Sequence, residues 1–124
     1  MRNSFKTPLV VEVMPSGKRF KLHFSFIYIW KYKRIKVKVV VPAGFETDFA
    51  SIPQPFHWFI SKLGRYNKAA VIHDFIYQQG HSISRKMADQ CFRDGMVDLG
   101  VDKWKRTLMY WGVRFGGWMA WRKR

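Results

Sequence analysis

The chain has 124 residues, 48% of them hydrophobic and 18% aromatic, enough for one ordinary core and too few for two comfortable domains. Its single cysteine, Cys91, excludes an internal disulfide and a multi-cysteine zinc site. Lys and Arg number 23 against 8 Asp and Glu, a formal charge of +15 that attracts polyanions without choosing among nucleic acid, an anionic membrane surface and an acidic partner.

In chain order, the N-terminus carries no apolar run of signal-peptide type, and no stretch of about 18 uncharged apolar residues follows that could span a membrane. Residues 9–14 read as a short strand ended by Pro15-Ser16-Gly17. From Phe20, the residues Phe20, Leu22, Phe24, Phe26, Tyr28 and Trp30 recur with period two, which predicts one long strand of an antiparallel sheet. Lys31-Tyr32-Lys33 is the expected turn. After it Ile35, Val37, Val39 and Val41 point one way and Arg34, Lys36 and Lys38 the other. Arg19, Lys21, Lys36 and Lys38 then form a basic side of the sheet, read as a solvated outer face, with phosphate binding as the alternative.

Phe45 to Pro55 is broken by proline and reads as an ordered loop, tied to itself by the short side chains of Thr47, Asp48 and Ser51. Asp48 is expected near the start of the next helix; its other reading is a second carboxylate or metal ligand facing His73. Phe56 to Leu63 reads as a helical turn or two. Asn67 as N-cap and Gly80 as a stop then frame a helix from about 68 to 79, which puts His73 and Tyr77 one turn apart on one face. A short reversal leads to a helix over 84–99, with Ser84 as N-cap and Gly100 as its stop. Packed antiparallel, the two helices would bring Asp89 to the imidazole of His73, and a carboxylate behind a histidine makes a base. The plainer alternative for Asp89 is a surface ion pair with Arg85, four residues earlier.

Asp102 opens the last helix, in which Trp104, Leu108, Trp111, Phe115 and Trp118 make one apolar stripe. The stripe is read as the closing wall of the core, with an interfacial helix as the alternative. Gly116-Gly117 bends or ends the helix and leaves a basic aromatic tail. Arg114, Arg122, Lys123 and Arg124 are its candidates for an anionic surface.

The whole is thus an α+β chain: a small antiparallel sheet of about three strands over 1–44, an ordered loop over 45–63 and three helices over 64–124 in one domain. From about Val41 to Gly116, the blocks PAGFETDFASIP, GRYNKAAVIHDFIY, SRKMADQCFRDGM and MYWGVRFGG resemble a family of small phage and prophage proteins called domain of unknown function 1353. Locally, AAVIHDFIY followed by ADQCF is similar to the two active helices of secreted-type calcium-dependent phospholipases, most closely the disulfide-free parvoviral ones. That resemblance implies His73 as the base toward water, Asp89 as the group orienting it, Tyr77 as a brace for Asp89, and Asp74 as a ligand of Ca2+. The glycine-rich calcium loop of those enzymes is absent, so the ligands would have to come from FETDFASIP, or no calcium binds. Two functions are therefore expected: a phospholipase-like ester hydrolase, or a non-enzymatic virion, tail or host-interaction component that docks through its basic surface on nucleic acid, anionic phospholipid or a virion protein. The expected place is the virion or the host cytoplasm.

Overall fold

The computed structural model describes residues 4–17, 19–47, 66–79 and 83–116. Within them the chain is α+β, with strands first and helices after: β1 (Ser4–Phe5), β2 (Val11–Val13), β3 (Phe20–Leu22), β4 (Phe26–Tyr32), β5 (Ile35–Val41), β6 (Glu46–Thr47), α1 (Asn67–Gln79), α2 (Arg85–Asp98) and α3 (Lys103–Gly116).

The strands form two antiparallel sheets of three, in the orders β1-β4-β5 and β2-β3-β6. The long strand expected from Phe20 to Trp30 is therefore two strands in different sheets. The alternation survives on both sides of the break, with Leu22, Phe26, Tyr28 and Trp30 buried, but Phe24 at the crossing is exposed. Period two reports which side chains face inward and carries no information about the neighbouring strand, so a change of sheet leaves no mark on it.

The hairpin also turns later than expected. Tyr32 pairs with Ile35, so Lys33 and Arg34 are the connection, and Lys33 takes φ 57°, in the left-handed region that a tight hairpin requires. The basic side of the sheet is divided: Lys36 and Lys38 lie on β5, Lys21 lies in the other sheet, and Arg19 is paired with Glu46 at 3.4 Å. Glu46 and Thr47 pair with Lys21 and Phe20, so the segment read as loop begins as a strand. The rest of that segment, with Asp48, Ser51 and the expected turn over 56–63, lies outside the described residues.

Helix α2 is where its capping residues put it, whereas α1 begins at Asn67 itself, read as its cap, and the expected stop at Gly80 lies outside the described residues. Ser84 has extended backbone and its side-chain oxygen accepts from the Met87 amide, and Gly100 takes φ 76° just past α2. Helix α1 sits between α2 and the strands β5 and β6, burying Ala69, Ala70, Val71, Ile72 and Ile76. Helix α2 carries the sheet on its other side: Trp30 Nε1 donates to Asp94 Oδ2 at 2.8 Å, and Tyr28 Oη to Asp98 Oδ2 at 3.4 Å. Gly95 is what lets the helices close up. A Cβ there would lie 3.0 Å from the Ala69 Cβ and 3.3 Å from the ring of Phe5, so a side chain would have to push α1 or β1 away.

Helix α3 corrects the reading of its aromatic stripe. Met109 is its one buried residue and Leu108 of the stripe is half-buried, whereas Trp104, Trp111 and Phe115 are exposed; Trp118 lies outside the described residues. An apolar stripe identifies a face without saying which partner covers it. Among the described residues, no helix is long and apolar enough to cross a membrane.

Candidate functional site

The contacts between α1 and α2 run in opposite directions along the two helices. Ala69 meets Gly95, the His73 ring lies 4.8 Å from that of Phe92, and Tyr77 reaches back to Asp89. The pairing is antiparallel, and it sets His73 and Tyr77, one turn apart, against Asp89. His73 Nε2 lies 2.7 Å from Asp89 Oδ1, and Tyr77 Oη donates to the same oxygen at 2.6 Å. Asp89 is 0% exposed and His73 4%, so the pair is interior, and the ion pair with Arg85 forms beside it rather than at the surface.

The second carboxylate oxygen is satisfied from α3. Arg114 Nη1 donates to Asp89 Oδ2 at 2.8 Å, and Arg85 Nη1 stands 3.6 Å from the same atom. Arg85 also donates to the carbonyls of Val113 and Arg114, both at 3.2 Å. Those carbonyls belong to the last turn of α3, where a helix has no partners of its own and carries the negative end of its dipole. Arg114 is thus turned inward onto Asp89 and does not belong to a free basic surface. Arg122, Lys123 and Arg124 lie outside the described residues.

Sequence reasoning missed this use of Arg114. The clue available was stoichiometric: one histidine and one tyrosine occupy one oxygen of a buried carboxylate, and the other needs donors too.

The electrostatics of the cluster follow from the donors. Burial alone would raise the Asp89 carboxyl, but the hydrogen bond and charge of His73, with the hydrogen bonds of Tyr77 and Arg114, outweigh it and hold the group below its ordinary value. Tyr77 moves the other way, its phenol pushed up by burial and then by its bond to the Asp89 carboxylate. The cluster therefore holds an ionised carboxylate and a neutral phenol.

Asp74, the residue next to His73, takes a bond from Gln78 Nε2 at 3.4 Å and does not meet Asp89. Among the described residues no three His, Cys, Asp or Glu side chains come together to hold a cation. Calcium requires six to eight oxygens, and Asp89, the other acid that the described residues bring to His73, is already committed to its donors. The described residues alone therefore assemble no calcium site, and the segment expected to supply further ligands, with Asp48, lies outside them.

Residues 20–113 match the family model described as a protein of unknown function (DUF1353). The chain belongs to that family. The matched span takes in β3 to β6 and nearly all of the three helices, and with them His73, Tyr77, Arg85 and Asp89; Val113, whose carbonyl holds Arg85, is at its limit and Arg114 falls one residue beyond it. Over 79 residues the chain is 40% identical to the uncharacterized protein y4jT of Sinorhizobium fredii, an alignment covering 62% of this chain and 23% of that relative. This DUF1353 chain thus spans about a quarter of the relative's length. No solved structure matches it.

Proposed function

We propose that this DUF1353 chain is a phage-encoded ester hydrolase in which His73 acts as general base, with phospholipid esters as its substrate class. The observation that carries the reading is the saturation of Asp89. Tyr77 O–H and Arg114 N–H both donate to it, and the group is held ionised, so the carboxylate only accepts. The facing His73 nitrogen, Nε2, must then be the N–H donor, and in the neutral imidazole the lone pair lies on Nδ1. A histidine fixed in that tautomer is ready to take a proton at one defined atom.

In the proposed reaction a water oxygen bonds to the ester carbonyl carbon while its proton passes to Nδ1. Collapse of the tetrahedral intermediate breaks the bond to the alkoxide, which takes the proton back from His73, leaving an acid and an alcohol. Asp89 shares its charge with two guanidiniums as well as the imidazole. What it supplies to His73 is therefore orientation more than negative charge. The local similarity of the His-Asp-x-x-Tyr and Ala-Asp-x-x-Phe segments to phospholipase helices supports the choice of substrate.

The test is product release from phospholipid vesicles and from soluble nitrophenyl esters, followed by mass spectrometry and absorbance. His73→Ala is the informative variant, because Asp89 keeps Tyr77 and Arg114 and the fold keeps its ionic cluster. Release by the wild type and a loss of about 10²-fold or more in His73→Ala is the expected result. Equal release by both proteins, or none by the wild type, overturns the reading.

A further inference from the structure

We propose that the outer face of α3 is a docking surface for an anionic lipid bilayer. The face consists of Trp104, Trp111 and Phe115, respectively 51%, 50% and 76% exposed, at spacings of seven and four that align them along one side of the helix. So large an apolar stripe turned to water is unfavourable unless something covers it.

Charge complementarity says what covers it. Helix α3 contains no acidic residue and opens with Lys103, Lys105 and Arg106. Arg106 is turned back to donate to the Val101 carbonyl at 3.1 Å, which leaves Lys103 and Lys105 crowding the positive end of the helix dipole, where they destabilise the helix, with Asp102 just before it as the one acid of the segment. A layer of lipid phosphates beside the helix reverses that balance and adds to the attraction of the overall +15 charge. Exposed tryptophan with flanking lysine and arginine is the composition of a helix lying in the headgroup region.

The ring arrangement favours lipid over a nucleic acid strand. Bases bind by stacking on open aromatic faces, but Trp111 and Phe115 stack on each other with centroids 5.6 Å apart, and Lys105 Nζ stands 5.6 Å over the Trp104 ring. One face of each of these rings is thus already taken, and the exposed remainder is hydrocarbon beside cations, suited to insertion among acyl chains.

This inference does not depend on turnover: binding is expected whether or not ester is cleaved. The test is co-sedimentation of the full chain with vesicles of phosphatidylglycerol and phosphatidylcholine, with pure phosphatidylcholine, and competition by duplex and single-stranded DNA. Wild type is expected to bind the anionic vesicles, with a blue shift of tryptophan emission, and to bind neutral ones far more weakly. Trp111→Ser with Phe115→Ser should weaken vesicle binding at least about tenfold, each buried aromatic side chain contributing more than that factor, and should leave DNA binding unchanged. Both positions are exposed, and a second variant, Lys103→Glu with Lys105→Glu, should lower anionic binding and leave the far-UV circular dichroism in buffer unaltered. Three results overturn the proposal: vesicle binding that the aromatic substitutions do not change, DNA binding that they abolish, or a wild-type dimer that they convert to monomer.

Discussion

Replacing Asp89 by Asn is expected to destabilise the fold by about 3–5 kcal/mol, the cost of breaking a buried ion pair by removing one partner. Asn keeps the shape and loses the charge, so Arg114 and Arg85 are left as cations beside a neutral amide. The amide also has one acceptor oxygen where the carboxylate has two, and its NH2 group must face donors on either side. Urea denaturation of the two proteins measures the difference, and a loss under about 1 kcal/mol would mean that water enters and replaces the carboxylate. The same group sets an acid limit. Since the folded Asp89 carboxyl is held below its ordinary 3.8, its contribution is complete at pH values above that and is lost as pH falls through the lower folded value. In the Asn variant that part of the acid transition should be missing.

The second large effect is expected at Trp30. Its ring is fully buried in the core, packs 4.8 Å from the Tyr32 ring, and donates its N–H to Asp94. Trp30→Ala should cost about 3–5 kcal/mol through lost burial and an unfilled cavity. Trp30→Phe keeps most of the volume and removes the donor, while Asp94 keeps its bond from Gln90 at 3.0 Å, so about 1 kcal/mol is expected. Thermal unfolding of both variants gives the ratio. Equal losses would mean that the hydrogen bond, and not the packing, holds the sheet to α2.

What could be read from the sequence follows from how local each signal is. Ser84 and Gly100 fix α2 by bonds within a turn, and the His73 to Tyr77 spacing fixes a shared face, so the helices and the His73 to Asp89 contact were legible. The pairing partners of strands are not local, and the Phe20 to Trp30 alternation reads the same whether one sheet or two receive it. The two-residue β1 carries too little pattern to be seen, though Phe5 stacks on Tyr28 with centroids 4.2 Å apart. Arg114 looked like a surface cation because its partner lies 25 residues away on another helix. The stripe of α3 reads as core because apolar periodicity marks a face and not its partner, and of that helix Met109 alone is buried.

The cluster on Asp89 also bears on the order in which the molecule assembles. Of its partners, only Arg85 is within a helical turn; Tyr77, His73 and Arg114 are 12, 16 and 25 residues away. The carboxylate's last donor comes from α3, so the cluster is expected to close late, as a latch formed after the barrier rather than as part of the nucleus that crosses it. In stopped-flow measurements Asp89→Asn should therefore speed unfolding and leave refolding nearly unchanged. The energy held in that one side chain decides how long the assembled molecule lasts, and hardly at all how fast it forms.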